Sequence, residues 1–317
     1  MGKTWPHIQE QRARWTRRNL LGLEELSKDE ILCALETAAH FKSIPDDEIR
    51  EILPLRGRRV FNFFAEPSTR TRTSFSLAAR RLGAETVDFS PSNSSLTKGE
   101  TLADTARTLE ALGVDFVVMR HSDSGAPLHL TRLLRAAVIN AGDGAHEHPT
   151  QGLLDLFTIR EAFGRIEGLH AALIGDIAYS RVARSDLHGL IKLGNRVTVV
   201  GPPTLIPAGI ERLGVRVSHQ FDEVIPECDV IVLLRLQLER QKAGLFPSVQ
   251  EYIRLFGMNE TRLRQAKKDV VIMHPGPMNR GIEVSSKVAD GERSAILRQV
   301  TNGLAVRQAM LYLLSER

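Results

Sequence analysis

From residue 59 onward, short apolar runs alternate with longer segments whose apolar residues recur every three to four positions. Val60–Phe64, Phe116–Met119, Ala137–Asn140, His170–Ile174, Arg196–Val200, Val230–Leu234 and Val270–Met273 have the length of buried strands. Most of the stretches between them are long enough for a helix. Strands separated in this way cannot close into hairpins. They pair in parallel, with helices covering both faces of the sheet. The alternation therefore predicts an α/β chain with parallel sheets. Gln151–Phe163 carries Leu153, Leu154, Leu156, Phe157 and Ile159, the pattern of a buried helix, midway along the chain. It is placed to bridge two α/β units, and Ala295–Leu314 is a closing helix. With 317 residues there is room for two domains.

The first run leads into Glu66-Pro67-Ser68-Thr69-Arg70-Thr71-Arg72, and Phe75, Ala78, Ala79 and Leu82 then mark a helix face. Hydroxyls and guanidinium groups thus sit at a strand-to-helix turn, where free backbone N–H groups favour an anion. A helix cap needs one hydroxyl. This turn has Ser68, Thr69 and Thr71, with arginines that oppose the helix dipole unless an anion is present. The guest that suits such donors is a phosphate.

Composition narrows the class. Hydrophobic residues make up 42% and charged residues 25%, as in a soluble globular protein. A net charge of +4 suits an anionic substrate. The basic cluster Arg12, Arg14, Arg17 and Arg18 lacks aromatic interleaving or a nucleic-acid motif, so it predicts a solvated or interface-forming N-terminal helix and no nucleic-acid partner. Cys33 and Cys228 have no metal-ligand or CxxC spacing and are expected as reduced packing residues. No apolar stretch approaches the roughly 20 residues that cross a membrane, and the start of the chain lacks the apolar core of a signal peptide. A cytoplasmic enzyme with no membrane partner, no cofactor and no metal is the simplest expectation.

In open α/β sheets ligands bind beyond the carboxyl ends of strands. Polar groups crowd those positions: Arg120-His121, His148-Pro149-Thr150-Gln151, Gly175-Asp176 leading to Ser180-Arg181, Arg235-Leu236-Gln237, and His274-Pro275-Gly276-Pro277. Gly175 is not part of a GxGxxG fingerprint, which disfavours a dinucleotide oxidoreductase.

Taken in order, Ser68-Thr69-Arg70-Thr71-Arg72, Lys98-Gly99-Glu100, Met119-Arg120-His121, His148-Pro149-Thr150-Gln151 and His274-Pro275-Gly276-Pro277 carry a resemblance to the transcarbamylases, covering the chain from about residue 20 to its end. Within that family the chain resembles the catalytic chains that act on aspartate. The ornithine enzymes typically carry Ser-Met-Gly and His-Cys-Leu-Pro segments, which are absent here. Independently of the family, Arg181 and Arg235 suit a dicarboxylate and would repel a second cation such as the ornithine side chain.

The resemblance implies two doubly wound domains, each with a central parallel sheet, joined by an interdomain helix. Residues 1–150 would bind carbamoyl phosphate, with a C-terminal helix of about 297–317 packing back, and 151–296 would bind aspartate. It implies transfer of the carbamoyl group to the aspartate amine, an early step of de novo pyrimidine biosynthesis. Ser68, Thr69, Arg70, Thr71, Arg120, His148, Gln151, Gly276 and Pro277 would hold carbamoyl phosphate. Arg70, Thr71, Arg120 and His148 would be catalytic. Lys98, Arg181, Arg235 and Gln237 would hold aspartate. Ser95 (Ser94 is nearly as suitable) and Lys98 would reach a neighbouring subunit's site, making the active unit a homotrimer. His148 is expected to donate a hydrogen bond to the carbonyl oxygen, with a general-base role as the rival.

Tyr179 stands where many relatives have His, and the segment before about residue 18 is longer than the family usually needs. A different amine, such as an acetylated ornithine or a diamine, is the rival substrate, to be decided by the loop at 235–245. A pseudo-enzyme is disfavoured because Arg70, His148 and Lys98 are all present. Association with a regulatory chain or a dihydroorotase stays open.

Overall fold

A computed structural model describes residues 5–89, 101–237 and 248–315. The chain divides into two compact units, Met1–Leu154 with Thr301–Arg317, and Asp155–Val300. The first contains strands β1 (Arg59–Phe64), β2 (Glu85–Phe89), β3 (Phe116–His121) and β4 (Ala137–Asp143). They form a parallel sheet in the order β2-β1-β3-β4. The second contains β5 (His170–Ile174), β6 (Arg196–Val200), β7 (Arg216–Ser218), β8 (Val230–Leu233) and β9 (Val271–Met273), also parallel, in the order β7-β6-β5-β8-β9.

Each expected strand is present to within a few residues. β2 and β7 were not anticipated. β2 is an edge strand with Val87 about half exposed, so it lacks an apolar run. β7 is three residues long and begins with an exposed Arg216. In both cases pairing with a neighbouring strand, which is a tertiary fact, makes the strand.

The central strands are buried on both faces. Phe61, Phe63, Val117, Met119 and Val138 project into one cluster with Ala106, Leu109, Leu130 and Leu134. The alternate residues Val60, Phe116, Val118 and Ile139 are equally buried on the other side. In the second unit Ala172, Ile174, Ile231, Leu233 and Ile272 pack with Phe221, Tyr252, Phe256 and Val288. Two-sided burial explains why the strands read as continuous apolar runs.

In each sheet the chain winds outward one way and then resumes on the other side of its first strand. β1 leads to β2, then β3 lies against the opposite edge of β1; β5 leads to β6 and β7, then β8 lies against the opposite edge of β5. The gaps between β1 and β3, and between β5 and β8, are the topological switch points where such sheets bind ligands.

Helix Pro149–Phe163 begins in the first unit and ends in the second, and helix Ile296–Leu313 begins in the second and ends in the first. In the first unit the latter helix is anchored by Arg307, whose Nη1 donates to Ser74 Oγ at 2.7 Å, and by Tyr312, edge-on to Phe41 at 5.6 Å.

The N-terminal basic cluster differs from expectation. Helix Pro6–Arg14 packs within the first unit through Ile8, Gln11 and the adjacent Trp15, all buried. Arg12 donates to Ser315 Oγ at 2.6 Å and lies over the Tyr312 ring. Arg17 donates to Glu30 at 2.8 Å. Arg14, more exposed, donates to Gln11 Oε1 at 3.3 Å, so three of the four arginines have intramolecular partners. Cys33 and Cys228 are free and buried; burial pushes their thiols up to about 11 and about 12.

Candidate functional site

The turn after β1 forms as its sequence predicts. Helix Thr69–Arg81 starts directly after Ser68, and its amphipathic face buries Phe75, Ala78 and Ala79. Ser68 occupies the cap position, yet its side chain makes no cap bond to the helix. Its Oγ instead donates to Thr71 Oγ1 at 3.0 Å. That leaves the Thr71 hydroxyl proton to donate elsewhere. The backbone donors of the first turn thus have no side-chain cap, and the turn contains no acidic residue. Thr71 is buried, while Thr69 and Arg70 are exposed.

Arg120 lies one residue before the end of β3, on the other side of the same switch point. Its Nη2 donates to Glu66 Oε1 at 2.7 Å and its Nη1 to the Ala141 carbonyl at 3.4 Å. The Ala65 N–H donates to the Arg120 carbonyl at 2.9 Å, so the two strand ends are stitched together. Glu66 thus orients the guanidinium and offsets part of its charge. Glu66 belongs to the Glu66–Arg72 turn, but a partner 54 positions away leaves no local signal of its role.

His148 precedes helix Pro149–Phe163 and is 4% exposed; Thr150 and Gln151 are buried in its first turn. The chain reaches His148 through a polar knot. Asn140 Nδ2 donates to Asp143 Oδ1 at 2.7 Å, and Gly125 N–H donates to Asp143 Oδ2 at 2.7 Å. The Glu147 carboxylate accepts from Leu23 N–H at 2.8 Å and Glu24 N–H at 3.0 Å. Burial alone would push the Asp143 carboxyl up, but bonds from His146, Gly125 and Asn140 outweigh it and hold the group below the usual range. None of this support was foreseen from sequence.

In the second unit β5 is followed by Gly175, whose φ is +120°. A Cβ there would lie 2.6 Å from the Tyr252 hydroxyl and 3.1 Å from the Leu234 carbonyl. Glycine lets the end of β8 approach. Asp176 follows, fully buried; its Oδ1 accepts from Tyr179 N–H at 3.1 Å and its Oδ2 from Gln237 N–H at 3.3 Å. Ser180 caps helix Arg181–Lys192 by accepting from Ala183 N–H, and Arg181 opens that helix with 5% exposure. The Gln237 side chain is committed to the fold, since its Nε2 donates to the Tyr179 carbonyl at 3.1 Å. Arg235 beside it is partly exposed. One switch point therefore gathers Asp176, Arg235 and Gln237.

β9 runs into His274, Pro275, Gly276 and Pro277, with the Gly276–Pro277 peptide cis. Gly276 N–H donates to His274 Nδ1 at 2.8 Å, which places the ring proton on Nε2. Glu283 is buried below this segment. Burial pushes its carboxyl up, against the pull of N–H donors on Leu236 and Asn279.

Lys98, Ser95 and Ser94 lie outside the described residues, as do positions 238–247 of the loop expected to settle the amine. Among the described residues no helix is long and apolar enough to cross a membrane.

A doubly wound α/β chain with an uncapped, hydroxyl- and arginine-bearing helix start at one switch point and Arg235 at the other has the layout of a group-transfer enzyme. The chain belongs to the aspartate/ornithine carbamoyltransferase family. The carbamoyl-P binding domain of that family matches residues 18–161, and its Asp/Orn binding domain matches residues 167–314. The chain is 56% identical to the aspartate carbamoyltransferase catalytic subunit of Halothermothrix orenii, over 95% of this chain and 96% of that protein. It is 55% identical to the Moorella thermoacetica catalytic subunit, over 95% and 98% respectively. Among solved structures it is similar to aspartate transcarbamoylase from Trypanosoma cruzi in complex with carbamoyl phosphate, with 33% identity, a TM-score of 0.86 and coverage of 95% of this chain and 98% of that one. The same enzyme in complex with N-(phosphonacetyl)-L-aspartic acid gives 34% identity and a TM-score of 0.86, covering 95% of this chain and 97% of that one.

Proposed function

We propose that this chain is an aspartate carbamoyltransferase, transferring the carbamoyl group of carbamoyl phosphate to the amine of L-aspartate to give N-carbamoyl-L-aspartate and phosphate. The observation that carries the proposal is the uncapped helix start at Ser68–Thr71, next to the Arg120 strand end at the switch point of the first sheet. The relatives named above support the second substrate, as do Arg181 and Arg235 in the second unit.

In this reading Ser68, Thr69, Arg70, Thr71 and Arg120 bind the phosphate, and Gln151, Gly276 and Pro277 the carbamoyl group. The unprotonated amine attacks the carbonyl carbon, forming the C–N bond. The carbonyl oxygen takes up negative charge, met by donors from Thr71, Arg120 and His148. The C–O bond to phosphate then breaks, and the departing phosphate accepts the amine proton. Arg181, Arg235, Gln237 and Lys98 bind the two aspartate carboxylates. The Gln237 side-chain bond to Tyr179 is broken or shared when aspartate binds.

The same proposal extends to assembly. Ser95 and Lys98 complete a neighbouring subunit's site, so the working unit is a cyclic trimer. It acts in the cytoplasm, at an early step of pyrimidine synthesis. The test is steady-state phosphate release by the purified chain given carbamoyl phosphate with aspartate, ornithine or N-acetylornithine. Turnover with aspartate alone supports the proposal. Turnover with another amine in its place refutes the assignment of Arg181 and Arg235.

A further inference from the structure

The two segments that carry the second unit's candidate substrate groups are far apart in sequence. One is Arg235-Leu236-Gln237 at the end of β8; the other is the turn through Gly276 and Pro277 after β9. A single buried carboxylate joins them. Glu283, 1% exposed, accepts from Leu236 N–H through Oε1 at 2.9 Å. It accepts from Asn279 N–H through Oε2 at 2.7 Å and from Asn279 Nδ2–H through Oε1 at 2.7 Å. The protonated Nε2 of His274 faces Oε2 from 3.9 Å. The backbone of the same residue continues the link, since Met258 N–H donates to the Glu283 carbonyl at 2.8 Å. His274 is fixed from its other side, its N–H donating to Gln299 Oε1 at 2.9 Å.

We infer that Glu283 is a positioning residue for the aspartate half of the site: its carboxylate sets the spacing between the Arg235–Gln237 segment and the Gly276–Pro277 turn. This rests on the aspartate reading above. The chemistry explains why an acid stands here. Three N–H groups converge on two oxygens, and an ionised carboxylate accepts at both. An amide of the same shape brings its own NH₂ against one of those donors in either orientation. Leu236 lies between the two residues assigned to aspartate, so moving its N–H moves both neighbours. Glu283 itself is buried beneath these segments, so it acts through them and is not a catalytic residue.

The test is Glu283→Gln in the full chain, with three readouts. The KM for aspartate should rise about 10- to 100-fold, the effect of leaving one or two buried donors unsatisfied. The dissociation constant of inorganic phosphate, which reads the first unit, should stay within about twofold. Thermal melting establishes that the variant is folded. A folded variant whose aspartate KM is unchanged, or whose aspartate KM and phosphate affinity weaken together, overturns the inference, because a purely structural carboxylate would have no reason to select one substrate. If Glu283→Gln does not fold, Glu283→Asp takes its place. It keeps the charge but falls short of Leu236 and Asn279 together, and the same selective rise is required of it. Failure of the underlying reading is a separate outcome, visible in the unmodified chain as turnover with an amine other than aspartate.

Discussion

Gly175→Ala tests how the second sheet brings its strand ends together, and its size can be worked from the geometry. The substitution incurs two costs. A φ of +120° lies in a region that non-glycine residues rarely adopt, at about 1–3 kcal/mol. The new Cβ also sits 2.6 Å from the Tyr252 hydroxyl and 3.1 Å from the Leu234 carbonyl. Tyr252 is 2% exposed and packed against Phe256, so its ring cannot swing away. Overpacking of this kind costs about 1–3 kcal/mol. Together the loss is about 4 kcal/mol. At roughly 2–4 °C per kcal/mol, melting of the second unit should fall by about 10 °C. The assay is calorimetry on four proteins: the parent, Gly175→Ala, Tyr252→Phe and the double variant. Removing the hydroxyl removes the closer contact but leaves the backbone strain. The double variant should therefore be more stable than the sum of the single effects allows, by about 1–3 kcal/mol. Strict additivity would refute the contact with Tyr252, and an unchanged melting temperature in Gly175→Ala would refute the whole account.

Arg120→Ala should lower kcat by about 10²–10³, as for loss of a donor to a developing oxyanion, and a folded variant with near-normal turnover would refute its role. His148→Ala should do likewise, and retention of most turnover would refute both the donor and the base roles. Inactive Lys98→Ala and Arg70→Ala chains, unfolded and refolded together, should regain part of the activity that neither has alone; no recovery at any ratio counts against shared sites. The second unit should lose stability as pH falls below about 6.5. Burial, and then the Arg196 guanidinium donating to Nδ1, hold the His170 pKa below its ordinary value. The folded state therefore binds fewer protons there than the unfolded state, and the stability present above the unfolded pKa is lost as pH drops through the window beneath it. Thr198, Glu227 and Asp229 complete the ring's charged and polar surroundings. Denaturant midpoints between pH 7 and pH 5 should fall for the parent and stay flatter for His170→Asn; parallel curves would refute the assignment.

How much was legible in the sequence depended on whether the cause was local. The strands with apolar runs, the bridging helix and the open turn at Ser68–Arg72 each depend on residues within a few positions of one another. Their periodicity and residue types suffice to fix them. The phosphate expectation has the same local basis, because hydroxyls and guanidinium groups at a strand-to-helix turn suit an anion, whereas the transfer chemistry rests on the family resemblance. The edge strand β2 and the short β7 were missed because a neighbour's backbone makes them strands, and no apolar pattern records that.

What only the tertiary structure decided is how the polar side chains are spent. Glu66 reaches Arg120 across 54 positions, Asp176 reaches Gln237 across 61, and Glu283 reaches Leu236 across 47. Sheet order sets these meetings, by placing β3 beside β1, β8 beside β5 and β9 beside β8. A carboxylate destined for burial under three N–H donors looks, in one dimension, like any solvated acid. The sequence by itself determined the α/β class, the strand-to-helix turn with its hydroxyls and arginines, and the residues that bear charge. Which of those residues hold one another in place was decided by strand order, because hydrogen bonds form between neighbours in space, and the sheet makes neighbours of residues dozens of positions apart.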